Sequence, residues 1–155
     1  MARNEIIART SPEAVFEVLA DARCYGEWVV GSSEIRAADP EWPAAGSAFD
    51  HRVGVGPLKS ADCTEVLASR PPTYLQLLAH AKPLPAARVT IELAAADGGT
   101  RITMLEDVES PFWRRLLWPL IQPATWLRNV ESLRRLRALA EGRAERPTGP
   151  LPSRR

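Results

Sequence analysis

Arg88 to Val108 reads RVTIELAAADGGTRITMLEDV, and this stretch decides the fold. Val89, Ile91 and Leu93 alternate with Arg88, Thr90 and Glu92. Beyond Asp97-Gly98-Gly99, the residues Ile102, Met104, Glu106 and Val108 alternate with Arg101, Thr103, Leu105 and Asp107. A period of two on both flanks of a glycine turn is the pattern of an antiparallel hairpin with one buried face. Upstream, Ser47–Val55, Leu58–Ser69 and Tyr74–Ala81 repeat the theme, punctuated by Gly56-Pro57, Arg70-Pro71-Pro72 and Lys82-Pro83-Leu84-Pro85. Each interruption carries turn chemistry, so the region from Ser47 to Val108 reads as an antiparallel meander.

The flanks complete the order of elements. Arg3 to Thr10 is an opening strand. Ser11-Pro12-Glu13 starts a helix that runs to Ala20, because a serine oxygen accepts from free backbone amides and proline loses nothing at the first helical position. Asp21 to Val29 forms a second short helix, Ser32 to Ala38 a strand, and 39–46 a loop. Pro111 to about Gly142 is a long helical segment, kinked or split at Pro119 and Pro123, which deny backbone donors. Trp126, Val130, Leu133, Leu136 and Ala140 share one of its faces, with Arg128, Glu131, Arg134 and Arg135 opposite. Residues 143–155 carry three prolines without periodicity and read as a disordered tail, leaving one domain over 1–142. Seven antiparallel strands twist and curl, and a long helix laid across the concave side leaves a gap. The expected architecture is α+β.

Composition narrows the function. The 155 residues carry a formal net charge of +1, so no global field drives the protein onto nucleic acid. Charge is nevertheless segregated: ten basic against sixteen acidic residues before Pro111, ten against three after it. Cys24 and Cys63 form no C-x-x-C pair, and Met1-Ala2-Arg3-Asn4-Glu5 leads into a strand instead of a signal-like segment, so free thiols and a cytoplasmic location are expected. The most apolar stretch, Leu116 to Leu127, is broken by Pro119, Gln122 and Pro123 and falls short of the roughly 20 residues of a membrane span. No stable membrane insertion is expected.

The succession of motifs resembles the START-like (SRPBCC) superfamily, which has the helix-grip fold of the birch-pollen allergen, and within it the polyketide cyclase/dehydrase-like branch. The likeness rests on Ser11-Pro12-Glu13-Ala14-Val15-Phe16 with Leu19-Ala20-Asp21 and Tyr25-Gly26-Glu27-Trp28, then Gly46-Ser47-Ala48-Phe49, Arg70-Pro71-Pro72-Thr73-Tyr74 and Gly98-Gly99-Thr100-Arg101-Ile102. It extends from about Arg3 to Gly142. What it implies is a curved seven-stranded sheet around the C-terminal helix, two short helices between the first strands, and a hydrophobic cavity. The superfamily is a ligand-binding scaffold used for lipid carriage, aromatic polyketide cyclisation, hormone sensing and partner binding.

Candidate site residues follow from the strand and helix phases. Phe49, His51 and Val53 share one strand face, and there the imidazole of His51 is either a polar handle for a ligand or a satisfied strand histidine. Val89, Ile91 and Met104 line the same side of the hairpin. Glu106 is in phase with them; a carboxylate there must pair, stay neutral or reach solvent. Asp62 is a weaker candidate of the same kind. On the helix, Asn129 lies inside the apolar stripe near Trp126, with Gln122 two turns earlier, and a buried amide requires a partner in the sheet or a ligand. Trp28 belongs to the core or the cavity mouth. Trp113-Arg114-Arg115 with Trp118 and Trp126 reads as a helix face with arginine stems over apolar surface, or as one that meets lipid head groups.

His51 and His80 stand far apart without a ligand cluster, so neither metal nor cofactor is expected. The expected function is binding of a polyketide-, lipid- or isoprenoid-like molecule, by a monomer or homodimer. The alternatives are an aromatase/cyclase or dehydratase that moves protons through His51 or Glu106, and docking of the basic helix and tail onto a partner or anionic surface.

Overall fold

The computed structural model describes residues 1–55, 57–82, 84–116 and 118–145, with backbone alone at 53–55, 58, 59, 81, 84, 118 and 145. The strands are β1 (Ala2–Ala8), β2 (Ser32–Ala38), β3 (Ala48–Val55), β4 (Leu58–Arg70), β5 (Tyr74–Ala81), β6 (Leu84–Ala96) and β7 (Gly99–Val108). They form a single sheet in the order β1-β7-β6-β5-β4-β3-β2, antiparallel throughout. The meander therefore runs unbroken from β2 to β7, and the first strand closes onto the last. Register shifts between β2 and β3, within β4–β5 and within β5–β6 bend the strands and tighten the curl.

At the β6–β7 turn, Gly98 adopts φ +83°, and a Cβ on Gly99 would stand 1.8 Å from the Ala8 carbonyl oxygen. The glycine pair is thus fixed by conformation at one position and by close approach at the other.

Helix α1 (Pro12–Leu19) begins as its sequence dictates, with the Ser11 hydroxyl accepting from the Ala14 amide at 3.2 Å. It buries Val15, Phe16, Val18 and Leu19 against the concave face. A 3-10 turn over Ala22–Cys24, capped by Asp21, leads into α2 (Tyr25–Trp28). The C-terminal segment splits into α3 (Pro111–Leu116) and α4 (Trp118–Glu145). Pro119 falls in the first turn of α4, where its missing N–H is not needed, whereas Pro123 lies inside the helix. Helix α4 continues three residues beyond the expected boundary, because Arg143 is anchored: its guanidinium donates to the Asp21 carboxylate at 3.1 Å and to the Glu17 carbonyl at 3.3 Å. The remainder of the expected tail, 146–155, lies outside the described residues. Cys24 and Cys63 are free thiols.

The core joins α1, α2 and the second half of α4 to the sheet through Trp28, Phe49, Leu75, Ile91, Ile102, Leu133 and Leu136. Tyr25, Trp42 and Phe49 interlock with ring centroids 4.6 to 6.1 Å apart. Burial on α4 begins at Asn129; before it, helix and sheet diverge.

Candidate functional site

Where they diverge, a cavity of about 200 Å³ opens between the concave sheet, the segment following α2 and α4. Its walls are mostly apolar, with Trp28, Leu77, Val89, Met104 and Val108 among them. The outer end is bordered by Trp113, Ile121, Thr125 and Arg128. Ser132 fixes one wall by accepting from the Val30 amide at 3.1 Å.

Two buried polar clusters, centred on His51 and Glu106, face this space, and His80 also borders it. On β3, His51 is buried, and its Nδ1 lies 3.0 Å from Ser32 Oγ and its Nε2 3.0 Å from Thr64 Oγ1. A neutral imidazole has one donor and one acceptor, and a hydroxyl supplies either, so both nitrogens are satisfied. Burial pushes its pKa below the ordinary 6.5, against the opposing pull of the Asp62 and Asp50 carboxylates. On β7, Glu106 is also buried. Arg128 Nη2 donates to both carboxylate oxygens, at 2.6 and 2.5 Å, and Asn129 Nδ2 donates to Oε2 at 2.9 Å. The Asn129 side-chain oxygen Oδ1 in turn accepts from Arg128 Nη2 at 3.3 Å. This cluster ties α4 to the sheet at the cavity mouth.

The structure brings Trp28, His51, Val89, Met104, Glu106 and Asn129 to the cavity wall. Four expectations of position are corrected. Phe49 and Ile91 are fully buried but belong to the packed core, because one strand face serves both the filled and the hollow halves of the interior. Trp126 is 48% exposed and Gln122 is exposed, reaching only the Met1 carbonyl at 3.5 Å. Both lie on the flank of α4 toward β1, where the Trp126 carbonyl accepts from Asn4 Nδ2 at 3.3 Å, while the cavity is bordered by the flank that carries Ile121, Thr125 and Arg128. The side chain of Val53 lies outside the described residues, and Asp62 is occupied by Ser60 Oγ at 2.8 Å and the Lys82 amide at 3.1 Å.

Sequence reasoning missed Arg128, assigned to the solvent face, and the hydroxyls of Ser32 and Thr64. An inward carboxylate on β7 was the available signal for Arg128, since such a group demands a cation nearby. Ser32 and Thr64 depend on cross-strand register, which no local pattern carries.

The sequence profile of the polyketide cyclase/dehydrase and lipid transport family matches residues 2–141. The chain belongs to that family. Among solved structures, this family member is similar to a protein from Chromobacterium violaceum, at 19% identity and TM-score 0.70 over 90% of this chain and 96% of that one. A Staphylococcus aureus protein of unknown function gives 12% identity and TM-score 0.72 over 94% and 95%. The di-domain ARO/CYC of the steffimycin biosynthetic pathway gives 12% identity and TM-score 0.72, over 92% of this chain and 50% of that one. At these identities the likeness establishes the helix-grip fold. No curated protein matches the chain. Among the described residues, no helix is long and apolar enough to cross a membrane.

Proposed function

We propose that this family member binds a mostly apolar small molecule, polyketide-, lipid- or isoprenoid-like, between the sheet and α4. The observation that carries this reading is the mostly apolar cavity of about 200 Å³ between the sheet and α4. Apolar cavities near 150 Å³ already accept benzene, so this one suits a ligand segment of one or two rings, with any longer part leaving through the mouth. Affinity comes from apolar burial at about 25 cal/mol per Å². Orientation comes from Trp28, which lines the cavity and whose buried Nε1 hydrogen has no partner among the described residues. A ligand oxygen accepts it in the proposed complex.

The cyclase or dehydratase alternative requires a group free to exchange protons with substrate. Both nitrogens of His51 and both oxygens of Glu106 are already engaged, and three strands separate β3 from β7. For these two candidates, that geometry favours binding over acid–base turnover.

Ala87 on β6 lines the cavity, so Ala87→Trp fills it from the wall. An environment-sensitive naphthalene dye is expected to brighten with the native protein and to bind about tenfold or more weakly to the variant. Absence of dye uptake, or equal uptake by a folded Ala87→Trp protein, contradicts the proposal.

A further inference from the structure

Every side chain described between Pro111 and Arg128, except that of Thr125, is exposed. Yet this overhang is among the most apolar parts of the molecule: Leu120 is 77% exposed, Phe112 67% and Leu127 62%, with Leu116 and Trp126 also uncovered. Helix α3 buries nothing at all. Short helical segments that contain prolines and lack tertiary cover draw little stability from their own hydrogen bonds, so this one gains from an apolar surface laid against it.

Charge identifies what covers it. From Ser110 to Val130 the sequence holds Arg114, Arg115 and Arg128 and no acidic residue. Arg114 leans on Asp107 at 3.4 Å across the edge of the sheet, and Arg128 is committed to Glu106. Arg115 has no ion pair among the described residues. Leu120, Ala124 and Leu127 fall on the side of α4 opposite Asn129, Leu133 and Leu136, so the apolar stripe faces directly away from the core. Aromatic and leucine side chains flanked by arginines, with carboxylates excluded, match the interfacial layer of an anionic bilayer. A second copy fits poorly, since a two-fold contact through this face would oppose arginine to arginine with no carboxylate in the segment to neutralise them.

We propose that the α3–α4 overhang docks reversibly on anionic lipid, with the cavity mouth at the edge of the contact. Trp113 and Ile121 belong both to the overhang and to the mouth, so docking brings the opening to the headgroup layer, where apolar molecules dissolve. The inference goes beyond ligand binding and does not depend on it: dye uptake without lipid tests the cavity, and vesicle partition tests the overhang.

The full chain is mixed with phosphatidylcholine vesicles and with phosphatidylcholine–phosphatidylglycerol vesicles, and partition is read by co-sedimentation and by the blue shift of tryptophan emission. Partition onto the anionic vesicles is expected, weakening as salt is raised. Combined Phe112→Ser, Leu120→Ser and Leu127→Ser should reduce it by about 100-fold or more, and Arg115→Glu by about tenfold, with lipid-free dye binding preserved. None of these four side chains lines the cavity, and all are exposed, so the variants keep the fold. No partition onto anionic vesicles overturns the proposal, as does equal partition by the triple variant. A dimer in sedimentation velocity that the triple variant dissolves would assign the face to a second copy and overturn it equally.

Discussion

The two polar ends of the cavity are satisfied in opposite ways. At the β3–β4 end, His51 is held between the hydroxyls of Ser32 and Thr64, a neutral chain in which every member donates or accepts as needed. At the β7 end, Glu106 is held by a guanidinium and an amide. A neutral network tolerates full burial once its bonds are made. An ion pair does so poorly, because desolvating both charges costs more than their attraction returns unless one of them keeps contact with water. That is the arrangement found: Glu106 is buried, while the Arg128 side chain stays 42% exposed at the mouth. The net effect is to confine charge to the rim and leave the interior of the hollow neutral, as an apolar guest requires.

The largest test of this contrast is Arg128→Leu. Removing the cation leaves a buried carboxylate with one amide donor, a cost of about 2 to 4 kcal/mol by denaturant unfolding, the lower end being favoured because Arg128 is partly solvated. Adding Glu106→Leu should restore most of that loss, since an apolar pair at the same place carries no desolvation penalty. The double variant separates charge compensation from packing. If Arg128→Leu is neutral, or the second substitution deepens the loss, the ionic description of the mouth is wrong.

The same two clusters show how far the sequence could be read. Strand alternation placed Met104 and Glu106 inward because the β6–β7 hairpin is regular, and Ile102, Met104 and Glu106 are indeed all buried. Helical phase placed Asn129 inward for a similar reason. Phase gives direction only, however. Gln122 and Trp126 fall on the flank of α4 toward β1, where Met1 and Asn4 meet the helix, whereas Ile121, Thr125 and Arg128 border the cavity, and nothing local to the helix marks that difference. Arg128 was assigned by helical phase to the face opposite the apolar stripe; it is Glu106, distant in sequence, that draws its guanidinium over the mouth. The hydroxyls around His51 were illegible because Ser32 and Thr64 meet it only through pairing of β3 with β2 and β4, with bulges shifting the β2 register.

The neutral end predicts its own pH signature. Burial depresses the His51 pKa below its ordinary 6.5, so the unfolded chain binds the proton more tightly than the folded one. Stability from this group is therefore complete above about pH 6.5 and declines as the pH falls toward the depressed folded value. His51→Gln should remove that decline from a plot of unfolding free energy against pH. The acid-side decline from Asp21 should remain: burial alone would raise its pKa, but hydrogen bonds from Arg23 and Arg143 hold it below the ordinary 3.8. A decline between neutral and mildly acidic pH that persists unchanged in His51→Gln would show that the imidazole is not the group responsible.

The smallest effect belongs to Ser32→Ala. It strips the partner from His51 Nδ1 but creates no charge, and the adjoining cavity is wide enough for a water to take the hydroxyl's place. The expected cost is about 1 kcal/mol, near the low end for a buried polar group that loses its bond. It should also vary little with salt, because no net charge is involved, whereas the Arg128 substitution bears on an ion pair with one partner in water. Measuring both variants at low and high salt thus ranks the two ends directly. If Ser32→Ala costs as much as Arg128→Leu, or is equally salt-sensitive, His51 carries charge in the folded protein and the division between a neutral interior and an ionic rim fails.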